Sequence, residues 1–490
     1  MDNSTLSAND KIVVVKSENL SENDLTEEKM ISSTNINMTS QIKHILHCLL
    51  LLFILSVMEY STLTGGLMVS ANPWQKYGFF FTLLLYMFRI VVFLALPQAL
   101  FNFVGLLVYN AFSDKVTLKS SPLLSPLICI RVVTRGDYPE LVKRNVERNL
   151  KTCLATGLEN FYIEVVSDNS ICLSENHRIR ELVVPKKYKT KSGALYKSRA
   201  LQYCLEEKVN ILSKNDWIVH LDEETILTPN CIKGILNFAF DSKYHIGQGL
   251  ITYANEEIVN WITTLADGFR VADDMGKLRL QFNAFHKPLF SFKGSYVVIQ
   301  YDTEKAVSFD NGPDGSIAED CYFAIKASSM GYTFNFIDGE MWEKSPFTIK
   351  DFIQQRKRWL QGILLVVHSK ALPLKSKFLL AMSCYAWVTL PLAMFNLILV
   401  PLFPISSYSL IDFLMTFVGG VNLYMFIFGV IKSFNVKRLG LFKFILCLIG
   451  SVAVIPFNII MENVVAIWGY FGSKHKFYIV QKGERTESVV

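Results

Sequence analysis

Gln355, Arg358 and Trp359 stand at i, i+3 and i+4 in the run Gln354-Gln355-Arg356-Lys357-Arg358-Trp359. On a helix that spacing puts an amide, a fixed cation and a large flat ring on one face. The cation suits a diphosphate and the ring suits a sugar. A basic cluster beside a hydrophobic tract also arises simply to meet anionic lipid headgroups, so other motifs must decide between the two. Asp222 and Glu224 lie two apart and share a face if the segment is extended. Carboxylates brought together need a cation between them. Mn²⁺ or Mg²⁺ takes such oxygen ligands alongside substrate phosphates. The plainer alternative is an acidic loop ahead of a helix that Thr228-Pro229 would start as N-cap and N1.

Asp320 follows Glu319 at the start of a helix expected over 317–330 and stopped by Gly331. Its carboxylate could take a proton from an attacking sugar hydroxyl, or could simply complement the helix dipole. Gly294-Ser295, inside Phe292-Lys293-Gly294-Ser295-Tyr296, offers either a close backbone approach to a ligand or an ordinary turn. Lys191 opens Lys191-Ser192-Gly193-Ala194-Leu195 ahead of a helix, a place suited to a nucleotide phosphate. Asp168, in Ser167-Asp168-Asn169, closes a strand-like run.

The elements that would position these residues alternate β-rich with helical runs. Strands are expected at 127–133, 161–166 and 217–221, with a helix at 140–154 between the first two. This is the pattern of an α/β fold with parallel strands. Asp168 and Asp222 fall just past strand carboxyl ends, where open α/β sheets bind ligands.

Hydrophobic residues make up 51% of the chain and charged residues 19%, which points to an integral membrane protein with a soluble part. Apolar runs near the ~20 residues that span a bilayer occur at 45–58, 78–112, 378–404, 410–431 and 439–471. The last is too long for one simple span, and Pro456 and Asn458 near its middle would kink it or make a hairpin. The expected organisation is a disordered tail (1–40), two spans (41–112), a soluble domain (113–350), an interfacial helix (351–377), further spans (378–471) and a short tail (472–490). Lys370, Lys375 and Lys377 precede the third span, and Lys432, Lys437, Arg438 and Lys443 follow the fourth. The positive-inside rule places both loops, the soluble domain and the N-terminus in the cytosol, which leaves the sequons at Asn3, Asn19 and Asn37 unused. Lys474, His475, Lys476 and Lys482 argue mildly for a cytosolic C-terminus.

Nine cysteines without a CxxC pair suit free thiols in a reducing compartment and form no zinc pattern. His44 and His47 are close in sequence, but at the start of an apolar span no metal role is expected for them.

In their order, the strand-end Asp168, the Asp222-Glu223-Glu224 motif, the Gly294-Ser295 turn, Glu319-Asp320 and Gln355-x-x-Arg358-Trp359 resemble the membrane-bound family 2 glycosyltransferases of GT-A fold. Those enzymes are related to cellulose, chitin and hyaluronan synthases. The runs 130–137, 201–205, 216–224 and 347–362 are similar to the egghead-type β-1,4-mannosyltransferases of invertebrate glycosphingolipid synthesis. The likeness covers roughly residues 41–485, with the polar tail an extension.

That resemblance implies an inverting transfer of mannose from GDP-mannose to glucosylceramide in ER or Golgi membranes, giving mannosyl-β-1,4-glucosylceramide. Asp168 would lie in the nucleotide pocket with Lys191, and Asp222 and Glu224 would hold the divalent metal. Asp320 would be the base, while Gln355 and Arg358 would stabilise the leaving diphosphate. Gly294, Ser295 and Trp359 would meet the acceptor. Glu224 departs from the usual second Asp, and its longer side chain could shift the metal geometry. The implied partners are the lipid bilayer and downstream glycosphingolipid glycosyltransferases, with no nucleic acid. Three alternatives remain open. These are a processive polysaccharide synthase, a UDP-sugar-dependent lipid glycosyltransferase, and a non-enzymatic transporter or scaffold. Against the last, most of the acidic candidates lie in the soluble domain, not within spans.

Overall fold

The computed structural model describes residues 22–64, 72–113, 115–405, 409–474 and 478. Asn3, Asn19, His475, Lys476, Lys482 and the first 21 residues of the expected tail lie outside the described residues. A helix, Glu22–Thr64, begins within the rest of that tail.

The soluble region is built on a mixed sheet of β1 (Ile128–Thr134), β2 (Phe161–Ser167), β3 (Ile179–Val183), β4 (Trp217–Asp222), β5 (Ile246–Thr252), β6 (Val297–Gln300) and β7 (Phe334–Trp342). Its order is β3-β2-β1-β4-β6-β5-β7. β1 pairs in parallel with β2 and β4, and β2 with β3. β6 runs antiparallel to β4 and β5, while β5 is parallel to β7. The strands expected at 127–133, 161–166 and 217–221 form as β1, β2 and β4, and the helix between the first two as Pro139–Ala155. Thr228 caps Pro229–Asp241 by accepting from the Cys231 N–H at 3.1 Å.

β1 is buried along its whole length, as strands covered on both faces are, yet it carries Arg131. The guanidinium is held at 2.7 Å by both Glu164 on β2 and Glu304, and Glu304 also meets His220 of β4 at 2.6 Å. A buried charge is costly unless paired. This network therefore ties β1, β2, β4 and the helix Tyr301–Val307 into one arrangement, with the strand ends in register.

Three helices or helix runs are long and apolar enough to cross a membrane, Ser40–Thr62, Phe79–Val108 and Ser409–Ser433. Two bent pairs also meet that test if each is taken as one span: Leu374–Val388 with Leu390–Asn396, and Leu441–Ala453 with Ile455–Phe471. The second pair bends by 44° where Val454 and Pro456 interrupt it, far less than a hairpin's reversal. Before the pair, Arg438 donates to the Ala254 and Glu256 carbonyls at 3.3 and 3.2 Å. After it, Gln361 donates to the Ser473 carbonyl at 3.0 Å, and the Tyr478 hydroxyl donates to Asp351 at 2.9 Å. The pair's first end therefore meets the loop after β5, and its second meets helix Ile349–His368.

The boundary between soluble and apolar parts is interlocked. Helix Trp261–Asp273 packs along Ser409–Ser433, with Gly268 and Gly429 in backbone contact. A π-helical turn, Asp274–Leu278, continues it. There the Lys277 N–H donates to Asn102 of helix Leu96–Val108 at 2.7 Å, and Asn102 donates to Asp273 at 3.0 Å. A stretch assigned to the soluble domain by polarity is thus wedged among the apolar helices.

Candidate active site

The carboxyl ends of β2 and β4 present Asp168 and Asp222, and one short helix supplies a cation to each. Helix Tyr196–Cys204 follows the Lys191–Leu195 loop as expected. Its first turn carries Lys197 and Arg199. Arg199 donates to Asp168, while the Lys197 ammonium lies 2.5 Å from Asp222 Oδ1. Lys197 also donates to the Gly294 carbonyl at 3.2 Å and lies 3.9 Å from Glu319. Lys191 itself is exposed on its loop, where the neighbouring Ser192 N–H donates to Asp310 at 2.8 Å.

β4 ends in a tight turn rather than the extended segment expected for Asp222 and Glu224, because the Thr225 N–H donates back to the Asp222 carbonyl at 3.0 Å. Glu223 points inward and accepts from the Thr134 hydroxyl. Asp222 and Glu224 both stay partly exposed. Beneath the turn, Thr225 bonds Ser295 at 2.8 Å and Glu343 at 2.6 Å. Ser295 is therefore buried support for the turn, not the exposed acceptor contact expected.

Asp320 sits in the first turn of helix Glu319–Ser329, where the Cys321 N–H donates to its Oδ1 at 2.7 Å. It faces Gly294 so closely that a Cβ there would lie 3.2 Å from Asp320 Oδ2 and 3.4 Å from Lys197 Nζ. A glycine lets the backbone approach the two charged groups together without pressing on either. The same groups line a small cavity with Lys197, Glu319, Phe292 and Phe323.

The motif at 354–359 lies on helix Ile349–His368, started by the Thr348 side chain accepting from the Asp351 N–H at 3.0 Å. An apolar face turned to lipid was expected. Instead Leu360 and Leu364 are fully buried against neighbouring helices of the protein, and Lys357 lies 4.0 Å over the Trp468 ring. Gly362 abuts Ala318, two residues before Asp320. Arg358 is close enough to Asp320 to favour its ionised form. The Gln355 Oε1 is buried with no hydrogen-bond partner among the described residues. Trp359 carries the Arg270 guanidinium at 4.5 Å from its ring centre, with the Tyr253 ring 4.7 Å from the same cation.

Negative charge gathers here. Burial, with Asp222 as a like charge, raises the carboxyls of Glu319, Asp320 and Glu343, the first up to about 7. Burial alone would favour neutral Lys197, but Asp222 and Glu319 hold its ammonium charged above the usual lysine range. With every group ionised, one ammonium faces three carboxylates in Asp222, Glu319 and Asp320. Asp222, paired with Lys197 and 40% exposed at its side chain, keeps carboxylate oxygen toward the solvent side. Such an excess of hard oxygen donors fits a divalent cation.

Asp222, Gly294, Asp320 and Arg358 thus come together, with Ser295 beneath them. Lys197, Arg199, Glu343 and Arg270 were not singled out from the sequence, and Glu319 only as the neighbour of Asp320. Lys197 and Arg199 lie six and eight positions past Lys191 on a helix facing two strand-end acids, which was the available signal. Arg270 lies in a helix with no motif of its own.

Residues 217–432 match the family model described as glycosyl transferase family group 2. The β-1,4-mannosyltransferase egh of Drosophila melanogaster is 61% identical over 459 residues, spanning 92% of this chain and 100% of that protein. The β-1,4-mannosyltransferase bre-3 of Caenorhabditis elegans is 55% identical over 456 residues, again 92% of this chain and 100% of the relative.

Proposed function

We propose a specific reaction for this chain, which belongs to the family 2 glycosyltransferases and, within them, to the β-1,4-mannosyltransferases: transfer of mannose from GDP-mannose to the 4-hydroxyl of the glucose in glucosylceramide. The observation that carries the chemistry is the placement of Asp320 against Gly294 and Lys197, beside the carboxyl end of β4. A base at that position takes the acceptor hydroxyl proton as the new C1–O bond forms. The bond from C1 to the diphosphate oxygen breaks on the opposite side, so an α-linked donor gives a β-linked product.

Asp222 and Glu224 would hold Mn²⁺ or Mg²⁺, which supplies positive charge to the diphosphate. Arg358 and the Gln355 amide would favour the charge that develops on the leaving group. Asp168 with Arg199, and Lys191 on the adjoining loop, would border the nucleotide. Gly294 and Trp359, with Arg270 over the ring, would border the acceptor, and Ser295 would hold the turn.

The acceptor's two hydrocarbon chains confine it to a bilayer, since each buried CH₂ contributes ~0.8 kcal/mol. A site interlocked with apolar helices suits that substrate. The catalytic domain and both chain ends would face the cytosol of an ER or Golgi membrane, where GDP-mannose is available. The contacts of Arg438 with the Ala254 and Glu256 carbonyls, and of Ser473 and Tyr478 with helix Ile349–His368, support the same side for the C-terminus. Downstream glycosphingolipid glycosyltransferases would take up the product.

The test is purified protein in detergent with GDP-mannose, Mn²⁺ and glucosylceramide, beside Asp320→Asn and with UDP-sugars as competitors. One mannose added by wild type and lost in the variant is expected. A growing polymer, or turnover of a UDP-sugar instead, would overturn the donor and acceptor.

A further inference from the structure

We propose that His44, His47 and Cys48 form a transition-metal site, of the kind Zn²⁺ occupies, at the start of the first apolar helix. The sequence argued against a metal there from two histidines alone; the fold adds a thiol and two outer partners. The three residues stand at i, i+3 and i+4 of helix Glu22–Thr64 and share one face. Their ligand atoms all lie within 4.8 Å of one another, the one such grouping of three among the described residues. His44 Nδ1 and His47 Nε2 are 3.0 Å apart, and Cys48 Sγ is 3.6 Å from His47 Nε2 and 4.0 Å from His44 Nδ1. A tetrahedral Zn²⁺ with bonds of about 2.05 Å to nitrogen and 2.3 Å to sulfur needs edges of about 3.3 and 3.6 Å. The nitrogen edge must open by about 0.3 Å, and the sulfur, now 3.8 Å from His44 Nε2, must close on His44 Nδ1 by about 0.4 Å.

The hydrogen bonds around the cluster make the case independently of distance. The Leu107 carbonyl, 3.2 Å from His44 Nε2, can only accept, so His44 Nε2 carries the hydrogen. The Tyr424 hydroxyl donates to the His47 carbonyl at 2.9 Å and lies 2.7 Å from His47 Nδ1. Having one hydrogen, it must accept from His47 Nδ1. Both outer nitrogens are therefore protonated. In the neutral rings the two inner nitrogens then point lone pairs at each other across 3.0 Å. The Cys48 thiol can answer one of them but not both, whereas a metal ion answers both and takes the thiolate as third ligand.

A carbonyl and a hydroxyl on the far nitrogens are the partners that metal-bound histidines have. They come from helices Leu96–Val108 and Ser409–Ser433, so an ion here would lock three helices together. Two imidazoles and a thiolate select a borderline ion, not the hard Mn²⁺ or Mg²⁺ of the carboxylate site.

The test uses the full chain in detergent, stripped by chelator and given Co²⁺, which reports thiolate ligation by a charge-transfer absorption band. One Co²⁺ per chain with that band is expected. Zn²⁺ should displace it, Cys48→Ser should abolish it, and Asp222→Asn should leave it unchanged. His44→Gln should weaken binding at least tenfold. Zn²⁺ should also protect Cys48 of the unaltered protein from alkylation, read by peptide mass spectrometry, a measurement that needs no variant to fold. Absence of the band, its persistence in Cys48→Ser, or alkylation of Cys48 at equal rates with and without Zn²⁺ would overturn the site and leave a shared proton between the histidines.

Discussion

Gly294→Ala is the smallest change that tests how the proposed base is held. The new methyl would lie 3.2 Å from Asp320 Oδ2, 3.4 Å from Lys197 Nζ and 3.6 Å from Asp320 Cβ. Ordinary contact with carbon begins at about 3.5 Å, so the carboxylate must withdraw by about 0.3 Å. The strain falls at the low end of overpacking, about 1 kcal/mol, and the protein should stay folded. A misplacement of about 1 Å near a reacting group costs on the order of 100-fold, or about 2.7 kcal/mol. Scaled linearly to 0.3 Å this becomes about 0.8 kcal/mol, or roughly fourfold in kcat. The methyl also excludes water from Asp320, which adds to the burial that already raises its carboxyl. The acid limb of the kcat profile should therefore move to higher pH. Initial mannosyl-transfer rates across pH, with thermal unfolding as a control on folding, make the measurement. An unchanged kcat and acid limb in a folded variant would refute the idea that Asp320 is positioned across Gly294.

Four further outcomes are expected. Asp320→Asn should lose roughly 10²- to 10⁴-fold in kcat. In the wild type, kcat should fall with falling pH through a value above the ordinary aspartate pKa of ~3.9, because Asp320 works ionised and its carboxyl is raised by burial; a limb at or below the ordinary value would count against its role. Lys197→Met keeps the stem but removes a cation that favours ionised Asp320, so the acid limb should shift upward, and a downward shift would contradict the charge arrangement. Glu304→Gln leaves Arg131 with Glu164 alone and weakens the bond to His220; breaking such a buried pair costs about 3–5 kcal/mol, visible as a lowered thermal midpoint in detergent.

The strands ending in Asp168 and Asp222 were legible because apolar runs bounded by polar turns have one natural reading, and Thr228-Pro229 marked its helix start through backbone chemistry alone. The mannosyltransferase family was legible in long local runs. What escaped depends on contacts between segments distant in sequence. Lys197 becomes meaningful only when β4, the Gly294 loop and the Glu319 helix meet around it. Polarity also misassigned the surroundings of 261–278, since Asn102 and Gly429 show that this stretch belongs as much to the apolar layer as to the sheet. The apolar side of 349–368 read as a lipid-facing surface because composition does not distinguish lipid from other apolar helices as a covering.

That helix explains why the site and the membrane layer form one device. Its N-terminal half is held by Arg356, which lies 2.8 Å from Asp267 and 3.5 Å from Glu462. Asp267 belongs to the helix that packs on Ser409–Ser433, and Glu462 to Ile455–Phe471, the second helix of the bent pair. Its middle abuts Ala318, where the chain enters the helix carrying Asp320. A displacement of the apolar helices therefore reaches Arg358 and Asp320 through direct side-chain contact, without a flexible linker to absorb it. If the acceptor is the proposed lipid, these contacts would fix the height of the proposed base relative to the lipid surface. Distance between hydroxyl and carboxylate is then set by the fold and not by diffusion of a tethered domain.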